Sequence, residues 1–295
     1  MRSGAVSRRG FIAGAAGVTG AIALGVLSHS ESAVARRTVA RRVGISPRGG
    51  RTVAGLKEIV LELVSTAENS TKTWTSAYPY IEDIGDGRGY TAGIVGWCTG
   101  TGDMLALVAY YSSTTPGNPL QKFLSALQQI MTVPYERRAS LSHVLLDPGF
   151  TAAWATAGNT AQFQAEQRYL RDQMYWNPAW AAATADHLSP LGRYLYYDGY
   201  VNHGSDTDFQ SFGGIVKGVK ARGQQSPAQG GNEVAYLKAV IAARDTVLKA
   251  WGTYQVDGRS SIALRFLREE NLNLDLPLAW TIYGDAYSIT RPPTP

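Results

Sequence analysis

The chain has 295 residues, with 28 lysines and arginines against 23 aspartates and glutamates, 16 tyrosines, seven tryptophans and one cysteine. A single cysteine excludes an internal disulfide framework, and a net charge of +5 over this length is too small to argue for a nucleic-acid partner, so none is expected. No internal repeat, low-complexity insert or long linker divides the sequence, so one folded domain over 52–290, built as two lobes, is expected.

At the N-terminus, Ser7-Arg8-Arg9-Gly10-Phe11-Ile12 precedes a mildly apolar Ala/Gly-rich segment to Leu27 and the small-residue triplet Ala33-Val34-Ala35. That order reads as a twin-arginine export signal over 1–35, too short and glycine-rich in its apolar run to be a membrane anchor. Its removal takes away Arg2, Arg8, Arg9 and Glu31 and lowers the net charge by two. Export of proteins already folded in a reducing cytoplasm agrees with the lone Cys98. A secreted, extracellular protein without membrane attachment after processing is the expectation.

Residues 36–51 carry six arginines among small residues and read as a basic disordered leader, with a weak hold on anionic cell-wall polymers as the functional alternative. At the other end, 291–295 reads as a fraying tail.

Leu56, Ile59, Val60, Leu63, Val64 and Ala67 recur at i, i+3, i+4, i+7, the spacing that lines one face of a helix. Glu68 follows Val64 by four residues and continues that face. A carboxyl on a buried stripe is partly desolvated, which raises its pKa as a general acid requires. Glu58 and Glu62, off the stripe, are expected to be ordinary solvated carboxylates. The loop after Tyr80 holds Asp86 among Gly85, Gly87 and Gly89, whose backbones turn where other residues do not. In an open, wet loop an aspartate stays ionised and can act as a base toward water. On these residues alone a second reading stands beside the acid/base pair: a helix-end charge and a polar tight turn.

Cys98, in Gly96-Trp-Cys-Thr99, reads as a small buried hydrophobe, since no Cys/His signature surrounds it. His143 and His187 lie in no ligand-spaced motif, no phosphate-cradling or dinucleotide fingerprint fits 85–93, and no metal or cofactor is expected. Helical signals dominate. Asn177-Pro178 and Ser189-Pro190 each place a capping residue before a proline suited to a first helical position. The second helix buries Leu191, Tyr194 and Leu195, and Asp198 falls on that stripe. Between 232 and 251 another helix aligns Leu237, Val240, Ile241, Leu248 and Trp251 with Arg244, so Asp198 and Arg244 are expected to form a buried ion pair.

Motifs in order carry a more specific signal. Ser65-Thr-Ala-Glu-Asn-Ser70, Tyr80-Ile-Glu-Asp-Ile-Gly-Asp-Gly-Arg-Gly-Tyr-Thr91 and Gly100-Thr-Gly-Asp-Met104 resemble the signature of the family 46 chitosanases among glycoside hydrolases. Tyr196-Tyr-Asp198, Val201-Asn-His-Gly204, Phe212-Gly-Gly-Ile215, Pro227-Ala-Gln-Gly-Gly231 and Tyr283-Gly-Asp285 continue it. The likeness is weakest from about Met131 to Thr160.

The resemblance implies a lysozyme-like, mainly α (α+β) fold with one small β-sheet, its two lobes flanking a substrate cleft. It implies an endo-chitosanase that cleaves β-1,4 bonds between glucosamine units of chitosan and its oligomers with inversion; a monomer is expected because no sequence feature demands more. Glu68 would be the general acid, Asp86 the general base, and Thr91 would position water. Asp103 would bind an amino sugar, and Tyr80, Arg88 and His203 match cleft positions. His203 reads equally as a hydrogen-bonded structural histidine. Asp198, Arg244 and Arg259 match a charged network holding the acid, where a touching arginine would oppose the effect of burial on Glu68. Inversion needs room for a water, so the two carboxyls should stand roughly 6.5–9.5 Å apart. Two rivals remain: a hydrolase of acetylated polymers such as chitin or peptidoglycan, and a noncatalytic polysaccharide-binding protein.

Overall fold

The computed structural model describes residues 53–293; the expected export signal over 1–35, the leader over 36–51 and the end of the tail lie outside them.

Helix α1 (Val53–Asn69) buries the stripe read from the sequence: Ile59, Val60 and Leu63 have no exposed surface and Val64 very little. Each such side chain contributes roughly 1.5–3 kcal/mol when taken from water. Glu68 ends the stripe with its side chain 16% exposed. Glu62 departs from the expectation of a solvated carboxylate. It is half-buried, burial pushes its carboxyl above the ordinary value, and nearby Glu58 adds to the rise while Lys72 opposes it. Glu58 in turn accepts a hydrogen bond from Trp74 Nε1 at 3.0 Å, because the turn after α1 folds Trp74 back over its outer face.

Three short antiparallel strands follow, β1 (Ile81–Asp83), β2 (Tyr90–Ala92) and β3 (Trp97–Cys98), in the order β1-β2-β3 with Glu82 opposite Thr91 and Thr91 opposite Cys98. The chain then winds through α2 (Asp103–Thr114), α3 (Leu124–Met131), α4 (Tyr135–Leu146), α5 (Phe150–Gly158) and α6 (Ala161–Arg171). Tyr90, Trp97, Met104, Leu107, Phe150 and Trp154 pack a core shared by this sheet and these helices.

The second core gathers α1 with α7 (Asn177–Ala185), α8 (Pro190–His203), α9 (Phe212–Ala221), α10 (Glu233–Ala250) and α11 (Arg259–Arg268). Two lobes therefore form around two cores, and Tyr175 packs against both. Ser189 caps α8 by accepting from the Gly192 N–H, with Pro190 first in the helix as read from the sequence. Asn177 does not cap a new helix: it has helical angles, because α6 runs on through a π turn (Asp172–Trp176) straight into α7. Pro178 has no N–H to return to the preceding turn, and the wider π turn makes room for its ring.

Beyond the one small sheet read from the sequence, the chain closes with a hairpin of β4 (Leu278–Ile282) and β5 (Asp285–Ile289). Leu278, Trp280 and Ile282 alternate inward, and Trp280 Nε1 donates to Thr66 Oγ1 at 3.0 Å, which ties the hairpin to α1.

Candidate active site

The lobes border a cleft of about 240 Å³ lined by Glu68, Tyr80, Arg88, Thr91, Asp103 and His203 among others. Asp86, Asp198, Arg244 and Arg259 stand behind that lining.

Between β1 and β2 the loop doubles back sharply. Gly89 has a φ of +74°, and a Cβ there would lie 2.3 Å from Thr99 Oγ1, so only glycine fits. The tight loop folds Arg88 onto Asp86: the Arg88 N–H and Nε donate at 3.0 and 2.8 Å, and Nη2 lies 2.6 Å from Asp86 Oδ2. The Asp86 side chain is thus only 4% exposed, which corrects the expectation of an open, wet setting. Arg88 lines the cleft in its place.

On the other lobe, Arg259 joins the two helices that carry acids. Its Nη2 donates to Glu68 Oε1 and its Nη1 to Asp198 Oδ1 at 2.7 Å. Arg244 Nη1 donates to the second Asp198 oxygen at 2.5 Å. Burial alone would raise the Asp198 carboxyl, and the two guanidiniums outweigh it and hold the group below its ordinary value. The expected Asp198–Arg244 pair is present, and the arginine that touches Glu68 is Arg259.

Arg244 Nε also donates to His203 Nε2 at 3.1 Å, while His203 Nδ1 lies 3.0 Å from the Gln210 carbonyl. This pattern requires a neutral ring that carries its proton on Nδ1. Burial and then Arg244 push His203 down to about 3. His203 is thus a hydrogen-bonded part of the network that also lines the cleft.

Asp103 opens α2. Its Oδ1 accepts from Thr101 Oγ1 at 2.6 Å and from the Cys98 and Met104 N–H groups at 2.9 Å, and Tyr175 OH donates to Oδ2 at 3.3 Å. Burial raises its carboxyl despite these donors, and among the described residues it forms no ion pair. Thr91 Oγ1 lies 3.4 Å from Cys98 Sγ. Cys98 is 1% exposed and burial pushes its thiol up to about 12, so the thiolate is scarce and walled in. Iodoacetamide is expected to leave the folded protein unlabelled by mass spectrometry and to alkylate Cys98 only in denaturant; rapid labelling of the native protein would contradict this setting.

Three cleft residues carried no role in the sequence reading. Tyr175 reaches Asp103 from the π turn, which no periodicity announces. Asn202, adjacent to His203, accepts from Arg244 Nη2 at 3.1 Å. Trp251 stacks on His203 at 4.7 Å, and its place seven residues after Arg244 on one helical face is the signal that pointed there.

A mainly helical chain with a small antiparallel sheet and a cleft between two lobes is a lysozyme-like fold. A family model for glycosyl hydrolase family 46 matches residues 62–278, and the chain belongs to that family. It is 47% identical over 234 residues to a chitosanase of Streptomyces sp. (strain N174), covering 79% of this chain and 81% of the relative. A co-crystal structure of chitosanase OU01 with substrate superposes with a TM-score of 0.73 at 40% identity, over 79% of this chain and 96% of that one. The complex of a Gynuella sunshinyii chitosanase with chitotetraose gives 0.73 at 27% identity, over 82% and 100%.

Proposed function

We propose that the protein is an exported, monomeric endo-chitosanase that hydrolyses β-1,4 bonds between glucosamine units with inversion. The observation that carries the substrate reading is Asp103: a part-buried carboxylate on the cleft wall, held by four neutral donors with the Arg88 charge nearby but no contact ion pair among the described residues, is completed by a substrate ammonium. The names of the relatives agree with it, and Ser7-Arg8-Arg9-Gly10-Phe11-Ile12 supports export by the twin-arginine route.

Glu68 protonates the leaving oxygen. Arg259 engages only its Oε1, which leaves Oε2 for that oxygen. Asp86 takes a proton from the water that attacks from the opposite face, with Thr91 orienting that water. For Asp86 to reach it, the Arg88 side chain has to turn aside from the position it holds in the free protein. With oligomer bound, the two carboxyls should stand roughly 6.5–9.5 Å apart.

Asp103→Asn is expected to raise KM for glucosamine oligomers about tenfold with a smaller change in kcat, because the ammonium contact is made in ground and transition states alike. An unchanged KM would remove Asp103 from substrate binding. Reducing-end release from chitosans of graded acetylation tests the substrate class. Rates should rise with deacetylation. Faster cleavage of acetylated polymer would favour a chitin or peptidoglycan hydrolase, and binding without turnover a polysaccharide-binding protein.

A further inference from the structure

The loop that carries Asp86 is fastened at both ends to one helix, α4, which lies in the stretch where the family likeness is weakest. At the exit end, Ser142 Oγ lies 2.8 Å from Thr99 Oγ1, and Thr99 donates to the Arg88 carbonyl at 3.2 Å and accepts from the Tyr90 N–H at 3.1 Å. At the entry end the fastening is ionic. His143 Nε2 stands 2.6 Å from Asp83 Oδ2, three residues before Asp86, and His143 Nδ1 stands 3.1 Å from Asp147 Oδ2.

With a carboxylate at each ring nitrogen, both nitrogens must donate, and only the imidazolium carries two N–H groups. The ionisable groups facing the ring are Asp83 from β1, Tyr90 from β2 and Asp147 just beyond α4. The Tyr90 hydroxyl lies 3.2 Å from His143 Nδ1 and donates to Asp147 Oδ1. The Tyr90 ring itself packs 4.9 Å from the imidazole.

We propose that His143 is a positioning residue for the hydrolysis: its imidazolium clamps Asp83 to Asp147 and so holds the loop that presents Asp86 to the attacking water. The inference rests on the chitosanase reading above. Its hydrogen bonds to Asp83 and then Asp147 raise the His143 pKa above the ordinary histidine value, against the opposing effect of burial. The clamp is therefore complete below that ordinary value and is released as pH rises through the higher folded value. His143 is 42% exposed, so the effect falls on loop placement rather than on the stability of the whole fold.

The test measures kcat and KM on a soluble glucosamine hexamer from about pH 5 to 9 for the parent and His143→Gln, with the His143 ring proton followed by NMR. The parent's kcat should fall on the alkaline side at the midpoint of the His143 titration. His143→Gln should run about 5–10-fold below the parent's acidic plateau, without that limb, and with KM within about twofold. A folded His143→Gln protein that keeps the parent's kcat and alkaline limb overturns the proposal. Should that variant not fold, Asp147→Asn is used instead: the NMR midpoint and the kcat limb should move down together, and a limb that stays put overturns the proposal. A parent without turnover contradicts the chitosanase reading; the clamp is then judged by NMR alone, and a His143 midpoint at or below the ordinary value rejects it.

Discussion

Glu68→Gln and Asp86→Asn are each expected to lower kcat on highly deacetylated chitosan by about 10²–10⁴-fold, the range that a positioned acid or base supplies. Both replacements keep the shape of the side chain and remove its ability to exchange a proton. KM should move little, because neither group is assigned to holding the sugars. Folding should survive. In Glu68→Gln, Arg259 keeps its Asp198 contact, and in Asp86→Asn the remaining amide oxygen still accepts from Arg88. Steady-state kinetics beside a thermal melt checks both points. A folded Asp86→Asn protein with parental kcat would remove the base from the mechanism and leave the tight Arg88 pair as a structural feature of the loop.

Asp198→Asn should be the most destabilising single change in the cleft region. Asp198 is 1% exposed and holds two guanidiniums whose own side chains are 0% and 5% exposed. An amide leaves the buried Arg244 without its carboxylate and Arg259 with Glu68 alone, and breaking a buried pair costs about 3–5 kcal/mol. For a chain of this size that corresponds to a fall in Tm of about 10 °C. The sign with pH follows from the lowered Asp198 carboxyl. Its stabilisation is fully present above the ordinary carboxylate value and is lost as pH falls through the lower folded value. Melts from about pH 7 down to about pH 3 should therefore converge for parent and variant only at the acid end. Activity should fall too, since Arg259 positions Glu68 and Arg244 fixes the tautomer of His203. A melting curve at neutral pH matching the parent's would show that the two arginines find other partners.

Much of this was legible in the residues. The α1 stripe showed because a helix buried on one face repeats every 3.6 residues, and Glu68 inherits its position from that repeat. Asp198 and Arg244 stood out as charges on apolar stripes, which demand each other. Arg259 is different: it is the first residue of α11, and no periodicity there points at Glu68, so it entered only through the family resemblance. The burial of Asp86 was misread because glycine-rich loops are usually open, whereas this one is wound tightly enough to lay Arg88 over the carboxylate. The roles of Tyr175 and His143 were not legible at all. Their partners lie 72 and 60 residues away in the chain and meet only once the lobes are packed.

The account stands or falls on a proton-NMR time course of the protein acting on highly deacetylated chitosan, recorded fast enough to see the first reducing ends before their anomers equilibrate. The account predicts steady release of new ends that appear first as the α-anomer, the outcome of water attacking opposite the leaving group under Asp86. Ends that appear first as the β-anomer would contradict the water-activating pair, and a spectrum that never changes would contradict the enzyme.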